Sequence, residues 1–188
     1  EPRLINTVSG DTTYRAHLTA KFLQAAGRTD IPIGIGIGNP AGSLNFQAPW
    51  LDEFDPAAYP GQIHPDGVSA MLDVIADSPE PVTVISIGVA TNIARALERD
   101  PAMATRCRFV GMHGSIHLGY GGTPGAVPES NVRFDVESLR KVFSAPWREK
   151  IITPLDTCGL VVLDGERYQR VYGSQNPALK ALIENYTI

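Results

Sequence analysis

The sequence predicts an α/β fold with a mostly parallel, open sheet and helices on both faces, a Rossmann-like core. Helix-like and strand-like segments alternate along the chain, as this architecture requires. The strand-like segments are short runs rich in Val and Ile, which is typical of buried parallel strands. With 188 residues, 43% of them hydrophobic, the chain is large enough for a core. We therefore expect one domain over residues 1–188.

Helices are predicted where apolar residues recur at helical spacing between start and stop signals. The first covers residues 12–26 and stops at Gly27, and Thr91 and Asp135 are predicted to cap two later helices. The full set of predicted helices is 12–26, 67–76, 92–100, 135–144, 165–172 and 177–186. The predicted strands are 30–38, 82–87, 106–112 and 150–154.

The segment between the first strand and the second helix has no sustained period and is rich in Pro, Gly and Asp. We predict a long surface loop over residues 39–66, of the kind that forms a functional lid or rim. Before it, Gly34, Gly36 and Gly38 superficially resemble a dinucleotide-binding loop, but Pro40 and a loop follow instead of a helix. We interpret these glycines as positions where another backbone approaches one face of the strand closely. A generic nucleotide-binding α/β protein that uses Gly34 to Gly38 is a rival hypothesis.

Composition excludes several classes of partner. The net charge is −4, and no basic stripe is present that would follow a nucleic-acid backbone. The longest apolar runs, such as 81–90, are too short to span a bilayer, and residues 1–10 show no export signal, so we expect a cytoplasmic protein without membrane contact. Cys107 and Cys158 form no C-x-x-C pair, which argues against a zinc site. We expect both to be small buried hydrophobic residues of a protein in a reducing compartment.

Ligands of open parallel sheets bind at the carboxyl ends of the strands. The loops that follow the last three predicted strands are rich in polar and titratable residues, namely Gly88, Thr91, Asn92, His113, His117, Glu129, Asn131, Asp156 and Thr157. Glu129 and Asn131 suit vicinal hydroxyls, because a carboxylate accepts hydrogen bonds while an amide both donates and accepts them. A sugar site is one reading of this pair, and two residues that solvate a loop are the other.

Two further residues have open roles. Asp156 follows an apolar strand, and its sequence position is compatible with an acid, a hydroxyl acceptor or a helix cap. His64 lies on the predicted long loop, where a structural and a catalytic histidine are both compatible with the sequence.

Several segments, in register through nearly the whole chain, resemble the inosine-uridine preferring nucleoside hydrolase family. Residues 87–101, IGVATNIARALERDP, are similar to the family's G-P-L-T-N-I-A segment. Residues 128–143, PESNVRFDVESLRKVF, are similar to its A-E-F-N followed by D-P-E-A-A. The remaining matches are IITPLDT at 151–157, VSGDTTYRA at 8–16 for V-x-G-N, IPIGIG at 31–36, and QIHPDG at 62–67 for I-H-G.

The resemblance implies an enzyme of nucleoside salvage, commonly a dimer or tetramer, that cleaves the N-glycosidic bond of a small-molecule ribonucleoside with water. It implies a bound calcium ion, which prefers oxygen ligands and activates water, with the Ile87 carbonyl as one ligand. Glu129 and Asn131 would bind ribose hydroxyls, and Asp11 stands where the family has Asn. His64 would lie near the base as a proton donor to the leaving group.

The sequence also departs from the family pattern. The family's D-x-D-x-x-x-D-D and H-D-A motifs are absent, so we expect a central segment that is truncated at both ends and inactive alone. His113 replaces a Gly of the family's Met-Gly-Gly, Gly122 replaces an Asn that touches ribose, and Asp11 exchanges a donor for a charged acceptor. The alternative is a non-catalytic nucleoside- or ribose-binding relative that lacks the metal motif.

Overall fold

The computed structural model describes residues 1–39 and 43–188 and divides into two compact units. The first contains Glu1–Gly67 and Leu163–Ile188, and the second contains Val68–Val162. Each unit has a three-stranded sheet in which all paired strands are parallel. The predicted α/β class is confirmed, with the strands divided between two sheets. That residues 1–188 form a single domain stays a prediction.

The described elements are numbered here in chain order. The strands are β1 (Ile5–Asn6), β2 (Ile33–Gly34), β3 (Ile63–His64), β4 (Val82–Ser86), β5 (Cys107–Gly111) and β6 (Glu149–Ile152). The helices are α1 (Thr12–Ala25), α2 (Gly67–Asp77), α3 (Thr91–Arg99), α4 (Met103–Arg106), α5 (Ser130–Arg133), α6 (Val136–Ser144), α7 (Leu155–Cys158), α8 (Gly165–Tyr172) and α9 (Pro177–Tyr186). None of the helices in the described part of the chain is both long and apolar enough to cross a membrane.

The first unit packs α1 against the sheet β1-β2-β3. Asp11 caps α1, because its Oδ1 accepts the Tyr14 N–H at 2.9 Å. Buried Ala16, Ala20 and Leu23 recur at helical spacing on α1, and they pack with Ile33 in one apolar cluster. The carboxyl end of β1 is thereby held next to the amino terminus of α1.

The glycines of the predicted strand over residues 30–38 are sites of close approach. A Cβ atom on Gly34 would lie 1.9 Å from Asn6 Oδ1 and 2.7 Å from Gly67 Cα, and one on Gly38 would lie 2.3 Å from the Gly10 carbonyl oxygen. Our interpretation that another backbone approaches here is confirmed at both positions. The strand itself is shorter than predicted, because the Gly36 N–H leaves the ladder and donates to Thr7 Oγ1.

The predicted loop over residues 39–66 is not structureless. In its described part, 3-10 turns form at Ala48–Leu51 and Pro56–Ala58, and β3 forms at Ile63–His64. The loop prediction was therefore wrong for His64, which lies on a strand and pairs with Gly34. Residues 40–42 of the predicted loop, including Pro40, lie outside the described part of the chain.

The second unit contains the sheet β4-β5-β6. Val84 and Phe109 point to its buried face, where they pack in a cluster with Leu97 and Val142 of α3 and α6. The alternate residues of the strands lie on the other face, where Ile85 is 68% exposed. The core of this unit thus lies on one side of its sheet.

One of the two predicted caps in this unit was wrong. Residue 90 is the N-cap of α3, and Thr91 is its first helical residue. The Thr91 hydroxyl instead donates to Asp135 Oδ2 at 2.6 Å. Asp135 caps α6 as predicted, since its Oδ1 accepts the Ser138 N–H at 3.0 Å. Thr91 therefore connects two helices, which a local capping rule does not reveal.

Candidate functional site

The candidate site lies at the carboxyl ends of β4 and β5 in the second unit. Ser86 and Gly111 end these strands and are paired in register, and the Met112 N–H donates to the Ser86 carbonyl at 2.9 Å. This register brings two segments to one edge of the sheet. They are the segment after Ser86 and the long loop over residues 112–129, between β5 and α5. The predicted location at strand ends applies to Ile87, Glu129 and Asn131.

Glu129 is a buried carboxylate, 3% exposed, at the end of that long loop. Its Oε1 accepts the Asn131 N–H at 2.8 Å, and its Oε2 accepts the N–H groups of Gly114 at 3.1 Å and Val132 at 3.3 Å. The same carboxylate therefore caps α5 and connects the two ends of the loop. A carboxylate has about four acceptor positions, and three N–H groups already bond to this one.

Asn131 lies beside this carboxylate on α5. Its Nδ2 donates to the Met112 carbonyl at 3.0 Å, which fixes the orientation of the amide group. Between described residues, no hydrogen bond engages its Oδ1. The arrangement offers an amide oxygen with a fixed direction next to a carboxylate, which is suited to accept from a pair of hydroxyls.

Ile87, the predicted calcium ligand, directly follows β4, and its side chain is 80% exposed. Calcium takes about six to eight oxygen ligands, mostly from carboxylates and carbonyls. Among residues 1–39 and 43–188, no group of three His, Cys, Asp or Glu side chains is placed to hold a metal ion. The described residues therefore do not fit a complete calcium site.

His113 is a buried imidazole, 2% exposed, that joins the two strand ends. Its Nε2 lies 3.1 Å from Ser86 Oγ, and Ser86 in turn donates to the Gly88 carbonyl. The buried Nδ1 has no hydrogen-bond partner in the described structure. The ring stacks on Phe109 with centroids 6.1 Å apart. Burial lowers the pKa of His113, and the nearby negative charge of Glu129 opposes this.

The lowered pKa of His113 predicts acid-sensitive stability. An unfolded histidine has a pKa of about 6.5, and the pKa of His113 in the folded protein is lower. As the pH falls, the unfolded state therefore takes up a proton at a higher pH than the folded state does. The free energy of unfolding is then highest above that pKa and falls as the pH decreases below it, by up to about 1.4 kcal/mol per pH unit. We expect a smaller fall between pH 7 and pH 5 in His113→Phe, measured by urea unfolding.

A matched control for this measurement is His117→Gln, which removes an exposed imidazole from the same loop. We expect its pH dependence to follow that of the wild type. An unchanged pH dependence in His113→Phe would show that the buried ring does not set the acid sensitivity.

Asp156, on α7, anchors the long loop. Its Oδ2 accepts the Ile116 N–H at 2.8 Å, and its Oδ1 accepts the N–H groups of His117 at 2.7 Å and Leu118 at 3.2 Å. These hydrogen bonds lower the pKa of the Asp156 carboxyl, and the bond from the Ile116 N–H has the largest effect. Asp156 is not a helix cap, because the N-cap of α7 is Pro154. The structure shows a role that the sequence analysis did not consider, an acceptor of backbone N–H groups from the loop. His117 contributes its backbone to this anchor.

Asp11 and His64 belong to the first unit. The Asp11 carboxylate is the cap of α1, and its backbone N–H donates to Ser43 Oγ at 3.2 Å. An Asn in its place would also supply a cap oxygen, so the exchange keeps the structural role. The His64 carbonyl accepts the Ile35 N–H at 2.9 Å within the sheet. Contacts of either residue with a substrate stay predictions.

Ser86 and Tyr120 are two residues of this region that the sequence did not single out. Ser86 ends an apolar strand as its last buried residue, and a polar residue at that position was the available signal. The signal for Tyr120 was an aromatic residue inside the glycine-rich run 119–122. Both signals are weak, because the partners lie 27 and 10 residues away along the chain.

Comparison with known proteins supports the resemblance. The sequence model of the family described as inosine-uridine preferring nucleoside hydrolase matches residues 1–187. The chain is 31% identical over 186 residues to the pyrimidine-specific ribonucleoside hydrolase RihA of Salmonella newport, covering 93% of the chain and 57% of RihA. It is 34% identical over 127 residues to an uncharacterized protein of Schizosaccharomyces pombe, covering 66% of the chain and 38% of that protein. The chain spans about half the length of the curated relatives it matches.

Solved structures show the same fold. The purine-preferring ribonucleoside hydrolase from Gardnerella vaginalis superposes with a TM-score of 0.76 at 15% identity, covering 99% of the chain and 63% of that structure. The inosine-uridine preferring nucleoside hydrolase from Bacillus anthracis gives a TM-score of 0.65 at 15% identity, covering 98% of the chain and 76% of that structure. At these identities the likeness concerns the fold alone.

Proposed function

Because the chain belongs to the inosine-uridine preferring nucleoside hydrolase family, we propose that the protein containing it cleaves the N-glycosidic bond of ribonucleosides with water. The observation that carries the proposal is the buried Glu129 carboxylate, which three backbone N–H groups hold beside the available Asn131 amide oxygen. Such a pair recognises the vicinal hydroxyls of ribose. The proposed substrate class is a small-molecule ribonucleoside.

The two side chains would act by holding the sugar while charge develops on it. Glu129 accepts from one ribose hydroxyl, and Asn131 Oδ1 accepts from the neighbouring hydroxyl. In glycoside hydrolysis the transition state has oxocarbenium character, and hydrogen bonds to hydroxyls beside the anomeric carbon strengthen in it. A negative carboxylate near this positive charge favours bond cleavage.

The other assignments rest on the family resemblance. His64 is proposed to protonate the leaving base, and Asp11 to contact the sugar. Calcium is proposed as the cofactor of the protein that contains this chain; the Ile87 carbonyl would be one of its ligands, and the ion would supply the activation of water. Since the described residues do not complete its coordination, the ribose contacts are derived without the ion. Self-association as a dimer or tetramer is a further proposal, which sedimentation of the purified protein tests.

Isothermal titration of the chain with D-ribose tests the sugar site. We expect Asn131→Ala to weaken ribose binding on the order of tenfold, because one hydrogen bond of about 1 kcal/mol and the fixed amide are lost. The control is Asn185→Ala, since Asn185 also donates from Nδ2 to a backbone carbonyl, that of Ala181 at 2.8 Å. Equal ribose affinity in wild type and Asn131→Ala would reject the assignment of Asn131.

A ribose-release assay with uridine and inosine separates hydrolysis from binding. Release of ribose by the protein containing this chain is expected for a hydrolase, whereas nucleoside binding without release would establish the non-catalytic alternative. Release by residues 1–188 alone would refute the prediction that this segment is inactive by itself.

A further inference from the structure

We propose that Tyr120 forms the surface on which the nucleobase of a bound nucleoside stacks. The inference rests on the proposed function, because it takes Glu129 and Asn131 as the ribose contacts. It adds a specificity-determining residue, one that would separate nucleosides from free ribose.

The position of Tyr120 relative to the ribose contacts is fixed by its hydroxyl group. The Tyr120 hydroxyl oxygen lies 2.9 Å from Ser130 Oγ and accepts the Ser130 N–H at 2.8 Å. Ser130 stands between Glu129 and Asn131 in the sequence. Tyr120 belongs to the loop and not to α5. Its two hydrogen bonds to Ser130 nevertheless hold the phenol ring next to the predicted sugar site.

The backbone at Tyr120 is held by a compact turn. Gly121 and Gly122 have φ values of 65° and 76°, a left-handed conformation that favours glycine. The Gly119 N–H donates to the Thr123 carbonyl at 2.7 Å, and Thr123 Oγ1 donates to the Tyr120 carbonyl at 3.1 Å. The ring is thus held at both its backbone and its hydroxyl end, so little entropy is lost when a ligand packs on it.

The ring is available to a ligand despite these contacts. Tyr120 is 50% exposed, so its hydroxyl is bonded while much of its aromatic surface is not covered. An exposed and anchored aromatic ring offers a flat apolar surface with a polar end. Nucleobases are flat and aromatic, and stacking of a base on an aromatic side chain contributes about 1–3 kcal/mol. Ribose lacks such a surface, so the contribution applies to nucleosides alone.

The sequence is consistent with an aromatic ring that comes from the loop. Ser130, between Glu129 and Asn131, is not aromatic. The small Ser130 side chain leaves room for the Tyr120 hydroxyl to bind there. In this chain the aromatic ring next to the sugar contacts is supplied by residue 120.

Calorimetric titration of Tyr120→Leu with inosine, uridine and D-ribose tests the inference. We expect nucleoside affinity to fall on the order of tenfold, from the loss of stacking, and ribose affinity to stay at the wild-type value. Tyr120→Phe keeps the ring and is expected to bind nucleosides more tightly than Tyr120→Leu. The control is Tyr186→Leu, which removes another exposed tyrosine and is expected to leave all three affinities unchanged.

The outcomes separate this inference from the proposed function. Unchanged nucleoside affinity in Tyr120→Leu would overturn the inference while leaving the sugar site intact. Equal losses for nucleosides and ribose would also overturn it, since Tyr120 would then act only through Ser130. A wild-type chain that binds neither inosine nor ribose would reject the ribose contacts of Glu129 and Asn131, and with them this inference. In the NMR spectrum of the tyrosine-labelled wild type, inosine but not ribose should shift the Tyr120 ring resonances.

Discussion

Replacement of Glu129 by Ala is expected to lower the free energy of unfolding by about 3–5 kcal/mol, because three backbone N–H groups would lose their acceptor in a buried place. Gly114 lies near the start of the loop and Val132 lies on α5, which follows the loop, so the start of the loop and α5 should loosen together. Glu129→Gln keeps one acceptor oxygen but places an NH₂ group next to the remaining N–H donors. We therefore expect its loss of unfolding free energy to lie between zero and that of Glu129→Ala. Urea unfolding at pH 7 measures all three proteins.

The control for this prediction is Glu137→Gln. Glu137 is an exposed residue on α6, and its ion pair with Arg140 spans 3.1 Å at the surface. Surface ion pairs of this kind contribute about 0–1 kcal/mol, so we expect little change. If Glu129→Ala were no more destabilised than Glu137→Gln, the carboxylate would not hold the loop in solution.

Replacement of Gly34 by Ala is expected to cost about 3 kcal/mol or more, or to prevent folding of the first unit. The new Cβ would meet Asn6 Oδ1 at 1.9 Å and Gly67 Cα at 2.7 Å, and the second of these atoms is backbone. Both distances are shorter than any normal contact, so the Asn6 side chain and the backbone at the start of α2 must both move away from β2. Thermal or urea unfolding of the purified variant measures the effect.

Two further variants identify the cause of this loss. Gly27→Ala places a Cβ in open space at a φ of 65°, so only conformational strain of about 1 kcal/mol is expected. Removal of the Asn6 side chain in Gly34→Ala/Asn6→Ala should recover part of the stability, since the contact with Gly67 remains. A stable Gly34→Ala variant would mean that β1, β2 and the start of α2 are not packed as described.

The helices that the sequence predicted best are those with local end signals. For α9 the predicted and observed bounds agree, because Pro177 fits the first helical turn and the Asn176 side chain caps it. The two-residue strands β1 and β3 were not predicted. Their existence depends on pairing with β2, and two residues are too few to show any periodicity.

The candidate site shows the same division between local and distant signals. Glu129 and Asn131 were singled out as a carboxylate close to an amide, and the structure adds that the Glu129 carboxylate accepts the Asn131 N–H. Their role as ribose contacts stays a prediction. The bond from the Gly114 N–H to Glu129 joins residues 15 apart, and the Asp156 anchor joins residues 38 to 40 apart. Such contacts depend on the path of the loop, and a single sequence contains no pattern for them. His113 was noted for its chemistry, but only the structure shows its burial against Phe109.

If Glu129 and Asn131 form a ribose site, an NMR titration of the ¹⁵N-labelled chain with D-ribose will detect it at these residues. We expect saturable shifts of the Asn131 side-chain amide and of the backbone amides that bond to Glu129, those of Gly114, Asn131 and Val132. The side-chain amide of Asn185 should stay unchanged. Saturable binding with shifts confined to other residues would contradict this assignment, as would no shift at these amides at any ribose concentration.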